Sequence, residues 1–270
     1  MAQNKPSVTA ENIINVLEAL RARRPLVHCM TNEVVKDITA NVLLSIGASP
    51  AMVEQSTEAA EFAACADALL VNVGTLDEEQ AQAMRHAIPA CANAAKPWVL
   101  DPVAVGPLGF RTRFAREVLA LRPALIRGNA SEIIGLAGHA GKGRGADSGD
   151  RPEHALEAGA QLVAQTGATL LVTGPVDYAF DAARTVSCAN GHELLTRVTG
   201  IGCAQGAVAA ACASMTADTL HAAAAAAAIV AIAGELAAAR APRPGSFRTA
   251  FIDALDALDA DAIRRHAKLA

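Results

Sequence analysis

The chain alternates short apolar runs with longer segments of helical periodicity, and this alternation limits its fold more than any other feature. Strands of about four to six residues alternating with helices of about ten or more predict βαβ units and a mainly parallel sheet flanked by helices. The predicted strands are Leu26–Cys29, Ala68–Val73, Trp98–Asp101, Ala124–Arg127, Thr169–Thr173, Tyr178–Asp181, Thr185–Cys188 and Leu194–Arg197. The predicted helices are Asn12–Leu20, Val34–Ser45, Thr57–Cys65, Asp77–Asn93, Thr112–Leu121, Ser131–Ala137, Ala155–Thr166, Ala204–Met215, Leu220–Ala239 and Ser246–Leu258.

The rhythm breaks between residues 178 and 197, where predicted strands follow one another without a helix between them. Asn190-Gly191 is a hairpin turn signal, so we expect an antiparallel section of the sheet in this region. No linker rich in Ser, Pro or Gly divides the chain. We therefore expect residues 1–270 to form a single domain.

Composition excludes several classes of protein. Apolar residues make up 52% of the chain and aromatic residues only 3%, so the core must consist of Ala, Val, Leu and Ile. A net charge of −4 argues against a nucleic-acid surface. The longest apolar run, Ala222 to Gly234, is shorter than the roughly 20 residues of a membrane span. We expect the Ala-rich helix that contains it to be packed on every side, within the core or against another subunit.

The cysteines favour a reducing compartment. None of the six forms a C-x-x-C pair or a zinc spacing. The N-terminal region reads as an amphipathic helix, with no apolar signal-peptide core. We therefore expect a cytoplasmic protein that does not bind a membrane. The six are Cys29, Cys65, Cys91, Cys188, Cys203 and Cys212.

Polar residues follow several predicted strands at their carboxyl ends. Asp101, Arg127, Asn129 and Thr173 all stand there. Ligands of open α/β sheets bind beyond this edge, so we expect the four side chains to converge. The Gly-rich turn Thr199–Gly206 feeds a helix whose first N–H groups would bind an anion such as phosphate, with Cys203 in the first turn. Together these features predict a metal–nucleotide site.

Each of these residues also has a plainer interpretation. Asp101 could begin a loop, Arg127 could be a surface charge, and Glu132 could simply favour the start of its helix. The Gly-rich segment Gly138 to Gly149 is interpreted as a surface loop, with a phosphate lid as the alternative. A metal role for His28 is disfavoured. The chain has no Walker-type motif, and no early G-x-G-x-x-G supports a dinucleotide dehydrogenase.

The pattern T-G-x-G-C-x-x-G at Thr199–Gly206 resembles the anion-hole motif of the ribokinase-like superfamily. In that superfamily the position of Cys203 is usually an aspartate base, and a cysteine is typical of the hydroxyethylthiazole kinases. The resemblance extends from about residue 12 to residue 260. The other blocks, similar in sequence and order, are Thr31–Val35, Gly47–Met52, Asn72–Thr75, Asp101–Val103, Arg127–Ile133 and Val172–Gly174.

The resemblance implies a ribokinase-like fold and transfer of the γ-phosphate of ATP to 4-methyl-5-(2-hydroxyethyl)thiazole, a salvage step toward thiamine. It implies thiazole contacts from Met52, Gly200 and Asn32. It further implies ATP contacts from Arg127 and Thr173, a magnesium ion held directly or through water by Asp101 and Glu132, and a homotrimer with sites at subunit interfaces. The anion hole would comprise the backbone of Gly200, Ile201, Gly202 and Cys203.

Cys203 would act as the base toward the substrate hydroxyl. We expect the helix N-terminus to lower its pKa, and a loose transition state needs little base. The alternative is a thiol that only packs. The alternatives for the whole chain are a kinase of another small alcohol, a non-catalytic nucleotide-binding protein, and a dinucleotide oxidoreductase that the missing fingerprint disfavours.

Overall fold

The structure is a computed structural model that describes residues 8–139 and 152–270. Its strands form one sheet in the order β2-β1-β3-β4-β5-β6-β7-β8. Strands β1 to β6 are parallel, whereas β7 and β8 are antiparallel to their neighbours, so the predicted mixed sheet is confirmed. The strands are β1 (Leu26–Met30), β2 (Ser49–Ala51), β3 (Ala68–Asn72), β4 (Trp98–Asp101), β5 (Leu125–Asn129), β6 (Thr169–Thr173), β7 (Asp177–Phe180) and β8 (Thr185–Cys188).

Helices cover both faces of the sheet. Alternate residues of the central strands enter two separate cores; Leu70 and Val99 face one, and Leu69 and Leu100 face the other. The result is the three-layer arrangement expected of a buried parallel sheet. The helices are α1 (Ala10–Arg23), α2 (Lys36–Ile46), α3 (Ser56–Cys65), α4 (Glu78–Asn93), α5 (Gly109–Val118), α6 (Ala130–Leu136), α7 (Pro152–Thr166), α8 (Ile201–Ala213), α9 (Thr219–Arg240), α10 (Pro244–Asp256) and α11 (Ala260–His266).

The Ala-rich helix α9 is a core helix. Its 22 residues are long enough to cross a membrane, with a mean hydropathy of 1.9 in its most apolar window. The apolar run Ala222 to Gly234, which was compared with a membrane span in the sequence analysis, is therefore shorter than the helix that contains it. Within that window 83% of the residues are buried, against α1, α8, α10 and the last strands of the sheet. Methyl side chains allow this close approach of neighbouring helices. This Ala-rich core accounts for the high apolar and low aromatic content of the chain.

Two sequence predictions in this part of the fold are wrong. Predicted strand Leu194–Arg197 is a 3-10 turn at Glu193–Thr196. The hairpin turn lies at Asp181–Arg184 instead of Asn190-Gly191, because the Asp181 carboxylate accepts from the backbone N–H groups of Ala183 and Arg184 and closes the turn. Asn190 instead donates to Glu235 on α9. Strand β2 and helix α11 had no prediction, and β2 is a short edge strand that contains Pro50.

Candidate active site

Gly200 provides the turn that aims helix α8 at the carboxyl edge of the sheet. Its φ of 91° lies in the left-handed region, and an added Cβ would come within 2.6 Å of Ile38 Cγ2. No side chain caps α8, and the first backbone N–H bonded back to Gly200 O is that of Ala204. The N–H groups of Ile201, Gly202 and Cys203 therefore remain as anion donors by helix geometry.

Arg127 lies directly against this helix start. A Cβ on Gly202 would be 3.1 Å from Arg127 Nη2, so the missing side chain makes room for the guanidinium. Arg127 is 9% exposed and donates from Nη2 to Thr173 Oγ1 at 3.3 Å. The plain interpretation of Arg127 as a surface charge is therefore wrong. The two residues with implied ATP contacts, Arg127 and Thr173, are neighbours beside the anion-binding turn.

Asp101 is fully buried at the end of β4. Its Oδ2 accepts from Asn72 Nδ2 at 2.5 Å, while Oδ1 has no hydrogen-bond partner and lies 3.6 Å from Arg127 Nη1. Burial raises the pKa of the Asp101 carboxyl to about 7; the charge of Glu132 also raises it, and Arg127 and Asn72 oppose the shift. A buried carboxylate with one oxygen that accepts no hydrogen bond is suited to a metal ion.

Glu132 is engaged by backbone groups on both oxygens. Oε1 accepts from Ala104 N at 3.0 Å and Oε2 from Asn129 N at 2.9 Å. Asn129 Oδ1 accepts in turn from Glu132 N, which completes a capping box at the start of α6. The helix-start interpretation of Glu132 is thus correct. Within the described ranges, no group of three or more His, Cys, Asp or Glu residues could hold a metal ion.

Cys203 is connected to the sheet edge by amide side chains. Asn32 Nδ2 donates to Cys203 Sγ at 3.4 Å and to Asn72 Oδ1 at 3.0 Å. Burial raises the pKa of the Cys203 thiol to about 11, and the charge of Asp101 adds to this shift, while Asn72, Arg127 and Asn32 oppose it. The expected lowering of this pKa is wrong, because burial disfavours the thiolate and the neighbouring Asp101 carboxylate repels it.

Met52 lies at the far end of the same edge. It follows β2 and is partly buried against the core. The next residue, Val53, accepts at its carbonyl from His28 Nε2 at 2.7 Å, and Glu54 pairs with Lys36 at 2.6 Å. The carboxyl edge therefore presents, in strand order, Met52, Asn32, Asn72, Asp101, Arg127 and Thr173. Asp101, Arg127 and Thr173 converge at this edge as expected, whereas the side chain of the fourth predicted residue, Asn129, caps α6.

Two residues at this edge received no role from the sequence, Asn72 and Gln205. Asn72 ends an all-buried strand and is the register partner of Asp101, so its position after an apolar run was the available signal. Gln205 contacts Arg127, and only the three-dimensional structure brings the two together. The Gly-rich segment falls mostly on residues 140–151, outside the described residues, so its interpretation as a loop or lid stays a prediction.

Known proteins match this chain over nearly its whole length. The chain is 56% identical over 246 residues to hydroxyethylthiazole kinase of Kineococcus radiotolerans, covering 91% of this chain and 90% of that protein. It is 55% identical over 243 residues to the enzyme of that name from Klebsiella pneumoniae strain 342, covering 90% and 94%. The solved hydroxyethylthiazole kinase structure from Pyrococcus horikoshii OT3 superposes with a TM-score of 0.88 at 38% identity, covering 96% of this chain and 98% of that one.

A more distant likeness concerns the fold alone. The ADP complex of pyridoxal kinase from Staphylococcus aureus has a TM-score of 0.60 at 14% identity, covering 78% of this chain and 88% of that one. The fold is therefore ribokinase-like, as the resemblance implied. The model of the hydroxyethylthiazole kinase family matches residues 17–261. With the site geometry, and with more than half of the aligned residues identical in two relatives, the chain belongs to the hydroxyethylthiazole kinase family.

Proposed function

We propose that this protein transfers the γ-phosphate of ATP to the hydroxyl of 4-methyl-5-(2-hydroxyethyl)thiazole. The observation that carries the proposal is the Arg127 guanidinium against the first turn of α8, between Thr173 and Asp101. This position combines a cation, free backbone donors and an acidic group, which are what phosphoryl transfer requires. The relatives named hydroxyethylthiazole kinase, at 50–56% identity, support the thiazole alcohol as acceptor and do not favour another alcohol kinase or a non-catalytic role.

The anion hole would stabilise the transferred group. The transition state of phosphoryl transfer spreads negative charge over three equatorial oxygens. The backbone of Gly200, Ile201, Gly202 and Cys203 forms the turn whose N–H groups would receive these oxygens, and Arg127 would neutralise their charge. Met52, Asn32 and Gly200 would contact the thiazole, as the family resemblance implies. Asn32 donates to Cys203 Sγ, Gly200 immediately precedes α8, and Met52 follows β2 at the same edge of the sheet.

Asp101 and Glu132 would hold magnesium, the cation that accompanies ATP. Asp101 Oδ1, which accepts no hydrogen bond, fits a direct contact with the ion. Both Glu132 oxygens already accept backbone N–H groups, so its contribution would come through water. When bound, the ion would neutralise phosphate charge that Arg127 alone does not offset. Because Arg127 lies beside Asp101, the two would also limit the directions from which the triphosphate can approach.

Cys203 would face the substrate hydroxyl. With a thiol pKa of about 11 it is protonated at neutral pH, so the resting protein holds no thiolate base. A loose transition state releases the hydroxyl proton late, when the oxygen has become acidic. To act as the base, the sulfur would first pass its own proton to solvent. Otherwise the protonated thiol would orient the hydroxyl by a weak hydrogen bond, and the hydroxyl proton would pass to an oxygen of the transferred phosphoryl group.

Assembly and location are part of the proposal. A homotrimer with sites at subunit interfaces would cover the edge strand β2 and the exposed Leu44 of the adjacent α2. Val34, beside the candidate site, is 65% exposed and would lie at such an interface. All six cysteines are free thiols, which supports a reducing, cytoplasmic environment.

The decisive experiment follows ADP release from Mg-ATP with and without the thiazole alcohol. Thiazole-dependent ADP formation that stops on chelation of magnesium would support the proposal. Pyridoxal and a pyrimidine alcohol, supplied at the same concentration, would test the alternative of another alcohol kinase. Nucleotide binding without ADP formation from any of the three alcohols would contradict the proposed reaction.

A further inference from the structure

Gln205 connects Arg127 to a buried carboxylate on the opposite side. It stands in the second turn of α8 and is 5% exposed. Its Oε1 accepts from Arg127 Nε at 3.1 Å, and its Nε2 donates to Asp177 Oδ2 at 3.4 Å. Asp177 begins β7, is 8% exposed, and accepts on Oδ1 from Gly174 N at 3.0 Å. A continuous chain of hydrogen bonds therefore joins the turn after β6, helix α8 and the guanidinium.

This chain of hydrogen bonds has a direction. An ionised carboxylate only accepts hydrogen bonds, so Asp177 draws the NH2 end of Gln205 toward itself. The carbonyl end of Gln205 must then face Arg127, whose guanidinium only donates. With the amide reversed, its NH2 group would face a cation and its oxygen would face a carboxylate. Asp177 thus favours the same orientation of the Gln205 amide that Arg127 requires.

The contacts also fix the plane of the guanidinium. Nε is held by Gln205, Nη2 donates to Thr173 Oγ1 at 3.3 Å, and Nη1 lies 3.6 Å from Asp101 Oδ1. Three separate elements thus restrain one planar group, and its Nη1–Nη2 edge lies against Gly202. A bidentate contact to phosphate depends on such an orientation, since the guanidinium donors have a fixed fork geometry.

We propose that Gln205 and Asp177 are positioning residues for the phosphate-binding Arg127. They act through the guanidinium and touch neither substrate nor the transferred phosphate. The inference rests on the proposed function, because it assumes that Arg127 contacts the ATP phosphates. The competing explanation is that the pair only fastens α8 to the turn after β6. That explanation predicts a loss of stability without selective loss of nucleotide affinity.

The test measures binding of a non-hydrolysable ATP analogue with magnesium by calorimetry, together with KM for ATP, KM for the thiazole and the melting temperature. Gln205→Leu leaves Nε of Arg127 without an acceptor, and we expect about tenfold weaker binding of the analogue and a similar rise in KM for ATP. KM for the thiazole should stay within about twofold of wild type, because the guanidinium lies on the nucleotide side. Gln165→Leu, the same change on an exposed face of α7, is the matched control.

Asp177→Asn is the second variant, and it keeps the shape of the side chain if Gln205→Leu does not fold. We expect weaker analogue binding, because an amide at position 177 no longer orients Gln205. In the Gln205→Leu background the same change should have no further effect on affinity, since Asp177 acts through Gln205. Unchanged affinity for the analogue in a folded Gln205→Leu variant would overturn the inference. If Gln205→Leu does not fold, unchanged affinity in Asp177→Asn would do so. Equal rises in KM for ATP and KM for the thiazole would also overturn it.

The two proposals fail in different ways. A wild-type protein that binds the analogue but forms no thiazole-dependent ADP contradicts the proposed reaction alone. The affinities of the variants then still decide the positioning role. Normal turnover together with wild-type nucleotide affinity in Gln205→Leu contradicts the positioning role alone.

Discussion

The guanidinium of Arg127 fills the space that a side chain at Gly202 would occupy. A Cβ there would be 3.1 Å from Nη2 and 3.4 Å from Nη1. The glycine at this point of the T-G-x-G-C motif therefore makes room for a cation, in addition to freeing backbone N–H groups. Four residues further along α8, Gly206 does the same for Asp101, whose Oδ2 would be 3.2 Å from an added Cβ. The two glycines form one face of the helix, against which both charged groups lie.

Gly202→Ala should separate activity from stability. The added methyl would displace a guanidinium that Gln205 and Thr173 hold in place, so we expect kcat/KM for ATP to fall by about tenfold. Alanine favours a helix over glycine by roughly 1 kcal/mol, which offsets the close contact, so the melting temperature should change little. Steady-state kinetics and thermal unfolding check both outcomes. Gly245→Ala, where no atom lies within 4 Å of the new Cβ, is the matched control. Wild-type kinetics in Gly202→Ala would contradict the assigned role of this contact.

The raised pKa of Cys203 predicts slow alkylation at neutral pH. Only thiolate reacts with iodoacetamide, and with a pKa of about 11 its fraction rises about tenfold per pH unit up to pH 10. The measurement uses a Cys65→Ser background, because Cys65 is the exposed cysteine among six free thiols. Free cysteine, with a pKa of about 8.5, is the reference. If the alkylation rate of Cys203 levels off by pH 8, its pKa is lower than about 8, and the effect of the helix N-terminus on the thiol pKa outweighs that of burial.

Replacing the thiol tests the base role directly. An aspartate at this position ionises readily, so Cys203→Asp should keep or raise turnover, whereas Cys203→Ala should lower kcat by about tenfold or more. The control is Cys212→Ala, the same change on the same helix at a fully buried position away from the edge. It should alter stability and leave kcat near wild type. Full turnover in Cys203→Ala would leave the thiol as a packing group only.

The position of the candidate site at the carboxyl edge was predictable because topology and local sequence agree there. Apolar runs that end in Asp101, Arg127 and Thr173 identify both the strands and the edge where ligands bind, and parallel pairing then brings the ends together. The glycines at 200 and 202 indicated a helix start open to anions. A local pattern is sufficient for these inferences, since each depends on a few consecutive residues.

The remaining features depend on contacts that are distant in sequence. The thiol pKa of Cys203 is set by burial and by Asp101, about a hundred residues away along the chain, which no local pattern reveals. Gln205 stands on an Ala-rich helix, where nothing marks it as a partner of Arg127. Glu193–Thr196 forms a 3-10 turn although its apolar residues suit a strand, because Leu195 packs against Gly234 of α9.

His28 predicts a pH dependence of stability. Burial lowers its pKa below 6.5, so between the folded pKa and 6.5 the unfolded chain binds more protons, and the free energy of unfolding falls as the pH falls. One such group contributes at most about 1.4 kcal/mol per pH unit. We propose urea unfolding at pH 7.5, 6.5 and 5.5. The free energy of unfolding should change less with pH in His28→Leu than in wild type, with exposed His86→Leu as the control.

The same variant should also affect the thiazole side of the site. His28 Nε2 donates to Val53 O, next to Met52, so its loss should raise KM for the thiazole several-fold while KM for ATP changes little. Unfolding curves whose pH slopes match those of wild type, together with unchanged KM values, would show that His28 neither titrates in this window nor holds the Met52 segment.

Protonation of Asp101 should make kcat/KM fall at acid pH, and the pH at which this fall begins should depend on the magnesium concentration. With a carboxyl pKa of about 7, the proton competes with the metal, so kcat/KM should fall by up to about tenfold per pH unit below 7. Raising the magnesium concentration should shift this fall, the acid limb of the profile, to lower pH. Asp101→Asn should remove the limb and lower kcat/KM by about a hundredfold, whereas Asp253→Asn on the exposed face of α10 should do neither. If the limb stays at the same pH at every magnesium concentration, Asp101 is not the group through which the proton and the metal compete. Its unpaired oxygen would then serve Arg127 alone.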